Sequence, residues 1–340
     1  MKYSIDKSFS EELDQKDRLK NYRDLFFIPK DKEGNELIYF CGNSLGLQPK
    51  KTKEYIIQEV DDWKKFAVEG HFNAKNPWLP YHELLSVSYS KLIGAKASEV
   101  IAMNTLTVNL HLMMVSFYRP KENKFKVLIE KDAFPSDIYA VESQIKFHGY
   151  KVEDALIKLE PRKGEYFIRQ QDIEKIIKEN SDEIALILIG GVNYYTGQLF
   201  DMQKITKIGH DNGIVVGFDL AHAIGNVKLE LHKWGVDFAV WCSYKYLNSG
   251  PGAIAGAYIN ERFHNHELPR FTGWWGHNKK ERFLMDDKFK PIKSAEGWQL
   301  SNPPIFSLAP VLSSLSIFDQ VGMDALLKKS KLLTDYLEFL

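Results

Sequence analysis

Two short segments, Phe218-Asp219-Leu220-Ala221-His222 and Cys242-Ser243-Tyr244-Lys245-Tyr246, set a carboxylate and an amine just after apolar runs. The runs, 213–218 and 236–241, read as buried parallel strands. Asp219 and Lys245 are therefore expected at neighbouring strand ends, the edge where open α/β sheets bind ligands. An acidic group and a lysine held there suit pyridoxal phosphate, whose ring nitrogen needs a carboxylate partner and whose aldehyde needs an amine. The ordinary alternatives are a loop aspartate capping a helix and a solvated lysine. Against them, Ala221-His222 follow Asp219 with no helix start, and Lys245 precedes a loop rich in Gly, Asn and Pro. A partly desolvated amine there could act as nucleophile and base. Tyr244 is either plain core packing or a hydroxyl that reaches the phosphate or the reacting carbon.

Two further segments fit the same ligand. Thr105-Leu106-Thr107-Val108-Asn109 precedes an apolar helix running from Leu110 to about Phe117. Hydroxyl side chains and free amides at a helix start make a phosphate seat, although a simple N-cap reads equally well. Phe134-Pro135-Ser136-Asp137 ends the apolar run 125–130 and offers an aromatic face and a second carboxylate. Other signals are discounted. His82-Glu83-Leu84-Leu85-Ser86 lacks the second histidine of a zinc-protease helix, and Gly190-Gly191 through Gly197 lacks the ending of a nucleotide P-loop. His264-Asn265-His266 reads as an exposed loop pair, and Trp274-Trp275-Gly276-His277 as an aromatic cluster between domains. No metal site is expected.

The elements that must hold these residues alternate from about residue 100 onwards. Strands are expected at 125–130, 184–189, 214–219, 236–242 and 253–259. Helices follow at Pro135 to about His148, with proline in the first turn, and from the N-cap Asp201 to about Asn212, with Gly213 as stop. This rhythm argues for an α/β fold with a doubly wound, mostly parallel sheet. Before it come a charged N-terminal arm and helix, a short strand and glycine turn at Tyr39–Gly46, and a helix at about 51–69. After about 275 the rhythm weakens, as in a second, smaller α+β domain. The expected division is 1–50 for the arm and part of the small domain, 51–275 for the large domain and 276–340 for the start of the small one.

Composition excludes several classes. Lys plus Arg and Asp plus Glu balance at 45 each over 340 residues, so no global field draws nucleic acid or anionic membrane. Two cysteines, Cys41 and Cys242, make no disulfide framework and suit a reducing compartment. The N-terminus has no apolar signal core, and no apolar run approaches a membrane span. The expectation is a cytoplasmic α/β protein.

Seven segments in order resemble the kynureninase family: Gly-Asn-Ser-Leu-Gly-Leu, Leu-Thr-Val-Asn-Leu-His, Phe-Pro-Ser-Asp, Tyr-Thr-Gly-Gln, Phe-Asp-Leu-Ala-His-Ala, Trp-Cys-Ser-Tyr-Lys-Tyr-Leu-Asn and Ser-Asn-Pro-Pro. Each alone is weak; seven in one order, over residues from about 39 to 340, are specific. The resemblance implies a pyridoxal-phosphate enzyme of the aspartate-aminotransferase superfamily, a homodimer with sites at the subunit interface. It implies hydrolytic Cβ–Cγ cleavage of L-kynurenine or 3-hydroxy-L-kynurenine to anthranilate or 3-hydroxyanthranilate and L-alanine. It makes Lys245 the Schiff-base lysine and Asp219 the partner of the ring nitrogen, with His222 beside it. Phe134 stacks on the ring, Leu106 and Thr107 meet the phosphate, and Asp137 lies near the cofactor. Tyr244 binds phosphate and moves a proton, while Trp274 and Asn302 complete the site. His71 and Asn302 face the aromatic part of the substrate, which favours the 3-hydroxy form, and Ser44 lines the same pocket.

Two departures stand out. Gly190 occupies a position where many relatives carry serine. No arginine follows Arg282, although the family clamps the substrate α-carboxylate with an arginine from its C-terminal region. The chain is therefore expected to be truncated, to bind the cofactor, and to turn over poorly. The rivals are a cysteine desulfurase-like lyase, disfavoured because no cysteine follows Cys242, and a non-catalytic binding protein on the same scaffold.

Overall fold

The computed structural model describes residues 2–340. Seven strands form one sheet: β1 (Val100–Ala102), β2 (Lys126–Glu130), β3 (Leu156–Leu159), β4 (Ile184–Gly190), β5 (Val215–Asp219), β6 (Phe238–Trp241) and β7 (Gly256–Ile259). Their order is β1-β7-β6-β5-β4-β2-β3. The five strands β3, β2, β4, β5 and β6 are parallel, and β7 pairs antiparallel with both β6 and β1. The architecture is the expected α/β, mostly parallel sheet.

Alternation sorts the strand residues onto two buried faces. In β4, Ile187 and Ile189 join a cluster with Leu85, Ile173, Ile205 and Leu308, whereas Leu186 and Leu188 join one with Met113, Phe117, Val141 and Ile145. Helices Tyr81–Ile93, Gln170–Glu179, Met202–Asp211 and Ile305–Val321 thus cover one face, and helices Leu106–Phe117 and Pro135–Phe147 the other. Covering both faces is what makes the strands near-continuous apolar runs.

Local punctuation behaves as its chemistry requires. Asp201 accepts a hydrogen bond from the Lys204 amide at 3.0 Å, and Gly213 ends that helix region at φ 63°. Pro135 opens its helix at the first position.

Two local expectations fail. Tyr39–Cys41 forms no strand: Ile38 and Phe40 stand exposed, and no neighbouring strand is there to complete a ladder. The helix expected from Leu110 begins a turn earlier, at Leu106, with Thr105 as N-cap. The buried Asn109 side chain holds that extra turn by donating to Met103 O at 2.8 Å. In 276–340 the described residues form helices Ile305–Val321 and Met323–Phe339 and no strand. The first of these packs against helices Thr52–Phe66 and Tyr81–Ile93. The second meets the N-terminal arm. Tyr336 stacks on Tyr3 and donates to Ser4 O at 3.0 Å, and Lys329 pairs with Asp17.

No single helix among the described residues is long and apolar enough to cross a membrane.

Candidate active site

The chain runs outward from β2 to β3 and then returns past β2 to form β4. That reversal opens a crevice at the carboxyl ends of the parallel strands. Glu130 ends β2, Gly190 ends β4 and Asp219 ends β5, with Gly190 and Asp219 opposite each other in register. Beyond β6 the chain turns through Cys242 and Ser243 to Lys245.

This turn is wired from several sides. Tyr89 and Ser243 hydroxyls meet at 2.6 Å, Ser249 N donates to Ser243 O at 3.0 Å, and Asn248 N donates to Lys245 O at 3.0 Å. The amide of Gly46 donates to Tyr244 O at 2.8 Å. A Cβ on Gly46 would press on the Lys245 carbonyl and come within 2.7 Å of Asn248 Cα, so only glycine lets the 41–46 turn lie this close.

Lys245 is buried, and its Nζ lies 2.9 Å from His222 Nε2 and 5.5 Å from the Phe134 ring centroid. Burial and the lysine charge push His222 down to about 4, leaving a neutral imidazole at pH 7. Asp219 accepts from the Ala221 amide at 2.7 Å, and burial raises its carboxyl. Asp137 is raised well above the usual range by burial and by the neighbouring charge of Asp219. Burial and the neighbouring Cys242 push the Tyr244 hydroxyl up to about 12, so it stays a proton donor. Phe134, nearly half exposed, shows a ring face braced edge-on by Tyr194 at 5.3 Å.

These groups fit pyridoxal phosphate. Asp137 Oδ1 is buried without a hydrogen-bond partner in the small cleft it shares with Phe134, Asp219 and His222, so the carboxylate pair has capacity left for a cationic ring nitrogen. Thr105 makes no side-chain cap, which leaves the first amides of helix Leu106–Phe117 free for a phosphate. Thr107 Oγ1 meets Ser136 Oγ at 2.8 Å, tying that helix start to the start of helix Pro135–Phe147. Larger clefts of about 520 and 950 Å³ lie elsewhere and contain none of these groups.

The expected site residues divide into two sets. Leu106, Thr107, Phe134, Asp137, Asp219, His222, Tyr244 and Lys245 stand on the strand-end edge; Ser44 belongs to the 41–46 turn, whose Gly46 amide donates to Tyr244 O. Trp274, Asn302 and His71 stand apart. Trp274 donates to Arg282 O at 3.1 Å and packs on Trp275 and Phe283; Asn302 is exposed; His71 lies edge-on to Trp78 at 5.5 Å. None of the three lines the cleft at Asp219. Glu130 also lines that cleft; the sequence signal for it is the same as for Asp219, a carboxylate ending an apolar strand.

Comparison with known proteins agrees. The aminotransferase class-V family profile matches residues 85–339. A kynureninase of Flavobacterium johnsoniae is 55% identical over 341 residues, covering 100% of this chain and 80% of that one. A kynureninase of Mus musculus is 47% identical, covering 96% of this chain and 73% of that one. Among solved structures, a cysteine desulfurase from Thermococcus onnurineus superposes with TM-score 0.70 at 19% identity, over 96% of this chain and 77% of its own. The cysteine desulfurase CsdA of Escherichia coli gives 0.71 at 14%, over 90% and 72%. At such identities these structures speak for the fold alone. Sequence, fold and strand-end chemistry together place the chain in the kynureninase family, class-V aminotransferase-fold enzymes that work with pyridoxal phosphate.

Proposed function

We propose that Lys245, Tyr244 and Asp219 carry the family reaction, hydrolytic cleavage of the Cβ–Cγ bond of L-kynurenine or 3-hydroxy-L-kynurenine to an anthranilate and L-alanine. The observation that carries this is the meeting of Lys245, His222, Asp219, Asp137 and the Phe134 face in one crevice of a chain that is half identical to kynureninases.

Pyridoxal phosphate, when bound, supplies an electron sink next to the substrate's amino-bearing carbon. The chain's own residues do the rest. Thr107 and the amides opening its helix would hold the phosphate, with Leu106 beside them, and Phe134 would offer its ring face to the cofactor. Asp219, with Asp137 beside it, would pair with the ring nitrogen and favour its protonated form. Lys245 Nζ would be the base that takes the proton from Cα, with neutral His222, 2.9 Å away, accepting a hydrogen bond from that nitrogen. The Tyr244 hydroxyl, kept protonated by its burial, delivers a proton to Cβ after the bond breaks. Positioned acid–base groups of this kind contribute roughly 10²–10⁴-fold each.

The working unit we propose is a homodimer, because Trp274, Asn302 and His71 lie apart from Lys245 within one chain. A second copy that brings them to the lysine completes the site, and His71 and Asn302 then favour the 3-hydroxy substrate. Ser44 lines the same pocket. The three-part division at 50 and 275 is supported by the contact between the arm and helix Met323–Phe339. The reading places the protein in the cytoplasm, without nucleic-acid or membrane partners; two free cysteines accord with that.

The test is direct. With pyridoxal phosphate added, consumption of both substrates is followed by absorbance, and alanine is measured separately. A chain that stays colourless with the cofactor supports the non-catalytic rival instead.

A further inference from the structure

Glu130 is a charged side chain that the reaction above leaves unused, yet it is only 3% exposed. It stands at the chain reversal between β2 and β4. The Gly190 amide donates to both of its oxygens, at 3.1 and 3.2 Å. A Cβ at position 190 would come within 2.8 Å of Glu130 Oε1, so the carboxyl occupies room that exists because residue 190 is glycine. Glu130 lines the cleft of Asp219 and Asp137 on one side and a second small cleft, with Asn193 and Gln198, on the other.

We propose that Glu130 is a positioning residue of the cofactor site: wedged beside Gly190, it adds its negative charge behind the Asp219–Asp137 pair and strengthens their hold on a cationic ring nitrogen. This rests on the cofactor reading given above.

The clefts that Glu130 lines also hold Asp132 and Tyr166 on one side and His222 and Tyr194 on the other. Asp219 comes from β5 and Asp137 from helix Pro135–Phe147, both acidic; Gly190 and Asn193 are neutral. Lysine 245 stands beyond the aspartates, and Lys131 turns outward to pair with Glu160. No cation among the described residues pairs with Glu130, and burial with the charge of Asp219 lifts its carboxyl to about 7. A cation arriving at Asp219 favours ionised Glu130, and by reciprocity ionised Glu130 favours that cation.

The experiment measures the dissociation constant of pyridoxal phosphate by visible absorbance and tryptophan quenching at pH 6 and pH 8.5, for the wild type, E130Q and E130D. The proposal expects E130Q to match the wild type within about twofold at pH 6 and to bind roughly tenfold more weakly at pH 8.5, the equivalent of one unit of differential ionisation. E130D, which keeps the charge, is expected to run parallel to the wild type across both pH values. An E130Q-to-wild-type ratio that is the same at both pH values means a merely structural role and overturns the proposal; so does an E130D gap that widens with pH. Wild-type protein that takes up no cofactor at either pH sinks the proposed function and this inference together, whereas uptake with a pH-independent ratio sinks this inference alone.

Discussion

Lys245 Nζ and His222 Nε2 sit 2.9 Å apart, although one side chain follows β6 and the other follows β5. The imidazole stays neutral, so it can accept from the amine without repelling it. Lys245→Ala is expected to abolish the visible absorbance of the bound cofactor and to lower turnover by at least roughly 10²–10⁴-fold. Retained absorbance in that variant refutes the assignment.

Gly46→Ala tests how closely the N-terminal turn is fitted to the lysine. The added methyl must displace backbone around Lys245 and Asn248, which cannot yield as a flexible side-chain tip would. Overpacking of this kind costs about 1–3 kcal/mol. A thermal melt should show that loss, and a cofactor titration should show weaker binding; unchanged values for both mean that the turn does not seat on the lysine as described.

Proton linkage makes opposite demands on two groups of the cofactor-free protein, buried Glu130 and half-buried His222. Glu130 moves from its ordinary 4.5 up to about 7, so the stability it contributes is whole below 4.5 and is lost as pH rises through 7. E130Q should therefore gain on the wild type between pH 4.5 and 8, by up to about 3 kcal/mol. His222 moves the other way, from 6.5 to about 4, so its contribution is whole above 6.5 and is lost as pH falls through 4. His222→Gln should gain on the wild type over that lower window. Denaturant melts of the three proteins across pH 4 to 8 decide it; flat differences contradict both assignments.

Mixing experiments test the split site. Lys245→Ala and Trp274→Ala chains are each expected to be nearly inactive. Co-refolded in equal amounts as symmetric dimers, they form mixed pairs in which one of two sites is intact, restoring about a quarter of wild-type activity. No recovery on mixing argues against a site shared between copies.

Much of this site was legible in the chain because an apolar run followed at once by a polar residue marks where a buried strand surfaces. Asp219 and Lys245 both carry that mark, and the structure brings them to one edge. Glu130 carries it too, but its meaning depends on the amide of Gly190, sixty positions on, and on the reversal between β2 and β4. Residue spacing does not report a strand order. The strand expected at Tyr39–Cys41 failed for a related reason: a ladder needs a neighbour, and local sequence does not supply one. The helix that begins early, at Leu106, shows buried Asn109, which donates to Met103 O and reaches Gly256 O on β7, overriding the weak helix propensity of Thr, Val and Asn.

The contact between the arm and helix Met323–Phe339 has a bearing on how the protein is made. Tyr3, Phe9 and Asp17 leave the ribosome more than three hundred residues before their partners Phe339, Tyr336 and Lys329. The sheet can assemble while the chain is still being extended, but the arm has nothing to settle on until that helix is free. The turn that rests on Lys245 lies just beyond this arm. Docking of the arm is therefore a late event relative to formation of the sheet.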